Sequence, residues 1–599
     1  AQLPWTTTWT SVYEGEPPSY RWFAGGRTNL GANCVDRHAS GPNAGRVALA
    51  YRNERGDAVD VTYAELDRRV RQASAALRGV GVGHGDRVTL YMPPCVESIV
   101  MMLACARIGA IHCVVFAGFG SGALADRIDA SGSRWLFTVD STYRRGSDVD
   151  LTKIVDEALE VVGDKLDQVV TVSRSGGGRS WEQFLAAGAG QDDAAVEMEA
   201  NEPAFILATS GTTARPKLVV HTHGGYQVAV HHGGDVCYGL DGDDVWWATS
   251  DIGWIVGHSY IVYAPLLAGA TTVVYEGSID YPAPDVLWRL IAELKVTGVF
   301  TSPTAVRLLV KYGEQHARGH DLSSLRRVVC AGEVLNPAAY DWLATAVLEG
   351  RVPVLDNMWQ TEMAAPIFAN AWGSGLPVKP GSAGLPVPGT IAAVVDADGV
   401  ELPTGQPGIM VLRRPTPGLT ASLWEDPDRY AGDYWGRIPG CYYVGDAARF
   451  DEDGYVWFAG RADEVLKIAA HRIGTIEVES ALLTHPAVAE AGVTGRPDDL
   501  RGEVISAFVV LKAGVEEGPE LVKELTATLR REIGPVAVLG DCRIVSALPK
   551  TRSGKIMRRV LKAVVLGVEP GDVTTIEDEA SVDEARAAWK ELGAADLPG

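Results

Sequence analysis

The run Thr209-Ser210-Gly211-Thr212-Thr213-Ala214-Arg215-Pro216-Lys217 gathers hydroxyl side chains, a turn glycine and a cation into a loop of polyphosphate size. Backbone N–H groups and hydroxyls can wrap several phosphate oxygens at once, and Lys217 adds a point charge. That chemistry suits the phosphates of ATP. A Walker A loop places a glycine immediately before its lysine; Pro216 stands there instead, so a P-loop kinase or ATPase is not expected. Taken alone, the segment reads equally as a Ser/Thr/Gly surface turn.

Four segments downstream decide between those readings: Trp359-Gln360-Thr361-Glu362, Tyr443-Val444-Gly445-Asp446, Gly460-Arg461-Ala462-Asp463 and Pro549-Lys550-Thr551-Arg552-Ser553-Gly554-Lys555. In this order and at these separations they resemble the adenylate-forming superfamily of acyl-CoA synthetases, luciferases and peptide-synthetase adenylation domains. The closest resemblance is to the acetyl-CoA and propionyl-CoA synthetases. It is carried by Asn33-Cys34-Val35-Asp36-Arg37-His38, Leu103-Ala104-Cys105-Ala106-Arg107-Ile108-Gly109-Ala110, Gly257-His258-Ser259-Tyr260 and the run from Lys550 to Arg559. The resemblance extends from about Tyr20 to Ala563 and leaves the acidic tail, 567–599, outside it.

The resemblance implies an α/β fold: a large N-terminal adenylate-forming domain of helix-covered sheets, residues 1–462, and a small mobile α+β C-terminal domain, residues 463–599, hinged at Asp463. It implies ATP, Mg²⁺ and CoA, and a short-chain carboxylate as the acid. Activating a carboxylate on the α-phosphate of ATP brings two anions together, so cations must be preorganised there. By resemblance Lys555 reaches over the site during adenylation, Glu362 is the Mg²⁺ ligand, Thr361 lies beside it on phosphate, and Lys217 completes the catalytic set. Thr209, Ser210, Gly211, Thr212 and Thr213 would hold phosphates. Gly332-Glu333 and Asp356-Asn357-Met358 would sandwich adenine, continuing into Trp359 and Gln360. Asp446 would clasp the ribose hydroxyls, Arg461 would add a ribose or phosphate contact, and Arg472 belongs to the same nucleotide set.

The bulky ring of Trp359 matches the one that closes the acyl pocket against long chains. Ile255, Val256, Ala331 and Met363 match its other walls, and together they imply two to four carbons. Met363-Ala364-Ala365 stands where the family carries Thr-Gly-Gly, so a branched or hydroxylated C3 to C4 acid such as 2-hydroxyisobutyrate stays open. CoA is expected near Arg144, Arg145, His471 and Arg530. Ala470 replaces the glycine that lets pantetheine pass, which keeps a carrier-protein acceptor open. The resemblance also makes Lys555 a target of a lysine acyltransferase and deacylase, since loss of its charge would stop adenylation.

These residues need a scaffold, and the chain supplies one. At 599 residues it exceeds what a single core supports, so two or more domains are expected. Apolar strands alternate with amphipathic helices: strand 87–92, helix 96–109 and strand 111–116, with further strands at 135–139, 169–172, 271–275 and 296–300. That alternation predicts a largely parallel, helix-covered sheet. Near Gly460 the texture changes to a smaller unit with helical pattern over 521–533, and the tail looks helical from Val582 to Leu592. The net charge of −22 disfavours nucleic-acid and anionic-membrane partners. Eight dispersed cysteines without a CxxC pair fit a reducing compartment, and Ala1 to Thr10 has neither a basic start nor an apolar signal core, so a cytoplasmic enzyme is expected. The apolar stretch 99–118 is broken by Arg107 and His112 and reads as a buried helix running into a strand. Gly118-Phe119-Gly120-Ser121-Gly122 followed by Asp140 has the outline of a dinucleotide site with the wrong glycine spacing. His221, His223, His231 and His232 lack metal-ligand spacing.

Overall fold

The structure is a computed structural model that describes residues 2–174, 181–209, 216–468, 471–498, 502–512, 514–515, 517–535, 537–551, 554–571, 573, 576 and 580–595. Two large sheets carry the N-terminal part. The first has six strands in the order Gln168–Val172, Trp135–Val139, Arg87–Tyr91, Ile111–Val114, Pro203–Thr209 and Lys217–Thr222, parallel except for the last antiparallel pair. The second has nine strands, and its parallel centre runs Val354–Met358, Arg327–Cys330, Gly298–Thr301, Val245–Ala248, Thr271–Glu276 and Val47–Asn53.

The predicted strands fall where periodicity put them, shifted by a residue or two at their ends. The apolar stretch after Val96 is the helix Val96–Ile108, all but one of whose residues are buried. Gly109 closes it at φ 75°, a left-handed cap that a glycine adopts without strain. No helix among the described residues is long and apolar enough to cross a membrane.

A four-stranded antiparallel sheet follows: Ala392–Val395, Gly408–Leu412, Tyr442–Phe450 and Val456–Arg461. Beyond it the C-terminal unit builds its own core on the sheet His471–Ile473, Leu466–Ile468, Gly502–Leu511 and Val488–Asp498, with Leu539–Ile544 added in parallel. The helix Thr475–Leu483 packs this unit back onto Val456–Arg461, where a Cβ on Gly474 would lie 2.3 Å from the Ala459 carbonyl oxygen. The helical tail forms as Ala580–Ala595. It docks through Trp589, whose ring lies 5.9 Å from that of Phe508, and through Glu584, which accepts from Ser546 Oγ at 2.7 Å.

Candidate active site

Ligands of parallel α/β sheets gather at the carboxyl ends of the strands, and three neighbouring strands end together here. Past Cys330 come Ala331, Gly332 and Glu333; past Thr301 come Ser302 and Thr304; Val354–Met358 runs into Trp359–Glu362. Gly332 takes φ 106°, and a Cβ there would meet only Lys555 Cε, at 3.9 Å. Glu333 accepts from Arg307 Nη2 at 2.6 Å and lies 3.0 Å from Thr304 Oγ1. Against the burial that would raise it, Arg307, Thr304 and the charge of Lys555 hold Glu333 below the usual carboxylate range.

Lys555 arrives on a tight turn of the C-terminal unit. Thr551 donates its N–H to the Lys555 carbonyl at 2.8 Å and Lys555 N–H donates to Thr551 Oγ1 at 3.1 Å. The turn rests on the large domain at Gly554, whose carbonyl oxygen lies 3.2 Å from Thr304 Oγ1. A Cβ at Gly554 would come within 2.4 Å of Thr304 Cγ2, so any side chain there would lift Lys555 off the site.

Register brings the next pair together. Asp446 and Arg461 are directly opposite on antiparallel strands, with 3.7 Å between Nη1 and Oδ1. Gln360 Nε2 donates to Asp446 Oδ2 at 2.8 Å and to the Val444 carbonyl at 2.9 Å. Burial pushes the Asp446 carboxyl up to about 6, opposed by Arg461 and Lys555. Asp356 is buried and, among the described residues, its carboxyl has only backbone donors, Leu335 N–H at 3.1 Å and Asn357 N–H at 2.9 Å; burial pushes it up to about 8. Asn357 turns its amide inward, donating to the Cys330 carbonyl and accepting from Tyr238.

Thr209 and Lys217 face each other at the ends of the antiparallel strands Pro203–Thr209 and Lys217–Thr222. Ser210, Gly211, Thr212 and Thr213 lie outside the described residues, as does Ala470. Lys217 Nζ is 2.8 Å from Asp433 Oδ2 and 4.3 Å from the centre of the Tyr434 ring. Tyr434 donates to Glu362 Oε1 at 2.5 Å. Burial, then the neighbouring carboxylate of Glu362, raise the phenol of Tyr434, so it stays a donor. Among the described residues Oε2 of Glu362 has no hydrogen-bond partner, and no group of three metal-type ligands occurs. One carboxylate with an open oxygen fits Mg²⁺, which is held by one or two carboxylates, water and substrate phosphates. Thr361 presents its carbonyl to His221 Nε2 at 2.8 Å; burial lowers that imidazole to about 4, so it is neutral and donates.

Of the residues expected to line an acyl pocket, Trp359 stands with its ring edge-on to Tyr260 at 5.5 Å and to Phe300 at 6.4 Å. Ile255, Val256 and Ala331 belong to the same apolar cluster, while Met363 is buried in the neighbouring one. Ala364 takes φ 63° and ψ −34° in a γ-turn closed by Ala365 N–H on the Met363 carbonyl at 2.7 Å, a sparsely populated conformation costing roughly 1–3 kcal/mol; Ser259 Oγ donates to its carbonyl at 2.7 Å. Trp359 Nε1 is buried without a partner among the described residues.

The CoA candidates are spread over two units. Arg144 is exposed at the tip of the hairpin Ser141–Arg144 and Ser147–Asp150, and Arg530 is exposed on the helix Pro519–Glu532. Arg145 instead gives its Nη2 to both oxygens of Asp280, at 2.9 and 2.7 Å. His471 and Arg472 lie on the strand His471–Ile473, opposite Ile468 and Lys467. Asp463 follows the strand Val456–Arg461, with Oδ1 3.6 Å from Arg461 Nε. His221 joins His112 and His258 in a buried ring cluster around Phe205 and Tyr226, while His223 is buried apart from it and accepts at Nδ1 from Leu30 N–H at 3.2 Å. Sequence reasoning missed Thr304, Arg307, Asp433 and Tyr434. The first two follow a predicted strand and were open to discovery by the carboxyl-end rule; the last two sit in no motif.

Residues 35–424 match the family model described as AMP-binding enzyme, 477–555 that of the AMP-binding enzyme C-terminal domain, and 1–34 that of the acetyl-coenzyme A synthetase N-terminus. An acetyl-coenzyme A synthetase of Pyrobaculum aerophilum is 45% identical over 614 residues, 99% of this chain and 91% of the relative. A 3-hydroxypropionyl-coenzyme A synthetase of Sulfurisphaera tokodaii is 45% identical over 604 residues, covering 98% and 92%. The solved acetoacetyl-CoA synthetase from Streptomyces lividans superposes with TM-score 0.89 at 26% identity, over 99% of this chain and 91% of that one. These alignments correct the extent read from sequence, for they take in the first residues and nearly all of the chain, part of the acidic tail included. Acidic, basic and hydroxyl side chains gathered at the carboxyl ends of the strands, a C-terminal lysine brought beside them and matches along nearly the whole chain agree, and the chain belongs to the AMP-binding enzyme family.

Proposed function

We infer that the chain is an AMP-forming short-chain acyl-CoA synthetase: carboxylate and ATP give acyl-adenylate and pyrophosphate, and CoA then displaces AMP to give the thioester. The observation that carries this reading is the approach of Lys555 to Gly332, Glu333 and Asp446, which brings a C-terminal cation over a cradle built by the large domain. In the reading, Lys555 meets the acid carboxylate and the bridging oxygen, where its charge offsets repulsion between the two anions. Asp446 and Arg461 hold the ribose, Gly332 leaves room for the base, and Lys217 and Thr209 flank the phosphates with the loop between them. Glu362 would hold Mg²⁺, which when bound neutralises charge on the phosphates. Rotation about Asp463 would exchange this arrangement for one admitting CoA beside Arg144 and Arg530. The cytoplasm is the proposed compartment, and an enzyme that acylates Lys555 the proposed regulator.

A second reading concerns the acid alone. Relatives named for acetate and for 3-hydroxypropionate are equally similar, and Ala331 and Ala364 depart from the acetate pattern at the pocket, so a hydroxylated C3 acid is the favoured alternative. Purified enzyme with ATP and Mg²⁺ is to be offered acetate, propionate, butyrate, isobutyrate, 3-hydroxypropionate and 2-hydroxyisobutyrate while pyrophosphate and acyl-CoA are followed separately. Equal release of both with one preferred short acid is expected. Pyrophosphate without thioester would turn the reading toward a carrier-protein acceptor; no pyrophosphate with any acid would overturn it.

A further inference from the structure

Glu362 and Lys217 carry opposite charges and converge on one ring, Glu362 on the hydroxyl of Tyr434 and Lys217 over its face. Two such groups in a half-buried site would pair with each other, and that pairing would occupy both before phosphate or metal arrived. Here each has another partner. Lys217 is given to Asp433, the residue before Tyr434, around which Arg429 Nε at 3.5 Å and Arg437 Nη2 at 3.9 Å also gather. Asp433 can therefore release Lys217 and keep cationic neighbours.

The frame is rigid. Tyr434 stacks on Tyr442 with centroids 5.2 Å apart and planes 10° apart, and Tyr442 is fully buried on the strand that also carries Asp446. The wide helical turn Ala431–Trp435 presents Asp433 and Tyr434 side by side; such turns recur at functional sites. The Glu362 backbone is anchored separately, its carbonyl accepting from Thr420 N–H at 2.6 Å.

We propose that Tyr434 is a positioning residue for the adenylation half-reaction, fixing Glu362 toward the metal and holding it apart from Lys217 while Asp433 keeps that lysine in reserve. The proposal rests on the synthetase reading, in which Glu362 receives Mg²⁺ and Lys217 the phosphates. Partners that orient a metal ligand typically change metal affinity by 10–100-fold when lost.

The test is Tyr434→Phe in the full chain, which keeps the ring, its stack on Tyr442 and the face under Lys217 while removing the donor. Calorimetric titration with ATP, once with Mg²⁺ and once with EDTA, needs no turnover. The expected result is Mg·ATP binding weaker by about 10–100-fold, metal-free ATP binding unchanged, and a raised Mg²⁺ requirement for pyrophosphate release with KM for the acid unchanged. Equal Mg·ATP affinity in both proteins overturns the proposal, as does an equal loss with and without metal, the mark of a merely structural residue. Failure of the wild-type protein to bind Mg·ATP would instead overturn the synthetase reading and this proposal with it.

Discussion

The two ends of one parallel sheet treat charge in opposite ways. At the amino ends of Val245–Ala248, Gly298–Thr301 and Arg327–Cys330, Asp244 has a side chain with no exposure and is fully matched. Arg327 Nη2 reaches it at 2.6 Å, and Arg326 and Thr297 donate as well. Burial alone would raise Asp244, yet these donors hold it below the usual range. At the carboxyl ends, Asp356 has two backbone donors and, among the described residues, no cation, and is pushed up to about 8, while Trp359 Nε1 has no partner among the described residues. The contrast lies in the two carboxylates: Asp244 is matched by cations and hydroxyl where the sheet only has to stand, although Arg327 Nε and Nη1 have no hydrogen-bond partner among the described residues and that guanidinium lies over the Trp246 and Trp372 rings, whereas Asp356 is left without a cation at the candidate site. Such deficits in a cleft mark functional sites.

The closed end breaks hardest. Arg327→Met leaves Asp244 buried beside a partly exposed Arg326, and removal of one partner from a buried pair costs about 3–5 kcal/mol. Denaturant unfolding should show that loss, while KM values of the folded fraction stay unchanged. A cost under about 1 kcal/mol would show that the pairing at the amino end is not what distinguishes it. At the open end the reverse is expected: Lys555→Met should lower adenylation by about 10²–10³-fold, the scale for loss of one preorganised charge-stabilising donor, with the unfolding midpoint unmoved. A stability loss with modest kinetic effect would make Lys555 an interdomain strut.

Much of this contrast was legible in sequence, and the illegible part has a physical reason. Strands and their order of use follow from local patterning, so Arg87–Tyr91, Trp135–Val139 and Thr271–Glu276 emerge within a residue or so. Motif residues such as Asp446 and Arg461 were readable because they stand in segments that carry the family resemblance, whereas their pairing across two strands appears only in the fold. Tyr434 was not, because its role depends on the meeting of segments 72 residues apart in sequence. Arg145 shows the converse limit: its place beside Arg144 suggested a phosphate ligand, but Asp280, distant in sequence, shares its guanidinium. Ala364 was recognisable as a departure from glycine, whereas the positive φ that gives the departure its cost exists only in three dimensions.

Asp446 offers the smallest and most discriminating test of the contrast. Its carboxyl titrates near 6 in the fold against 3.8 in the unfolded chain, because burial outweighs Arg461, Lys555 and Gln360. Between those two values the native state holds more protons than the unfolded one, so stability falls as pH rises through that window and stays lowered above about 6. Asp446→Asn removes the buried charge. The variant is therefore expected to be more stable than wild type by roughly 1–3 kcal/mol above pH 6, with the gap closing as pH falls toward 4. In the proposed ribose role the ionised form is the acceptor, so KM for ATP in the wild type should rise as pH drops below about 6, and the variant should show a raised, flat KM. A variant that loses stability at neutral pH would mean that Asp446 is paired as fully as Asp244, and the division between closed and open ends would fail at the residue where it predicts a gain.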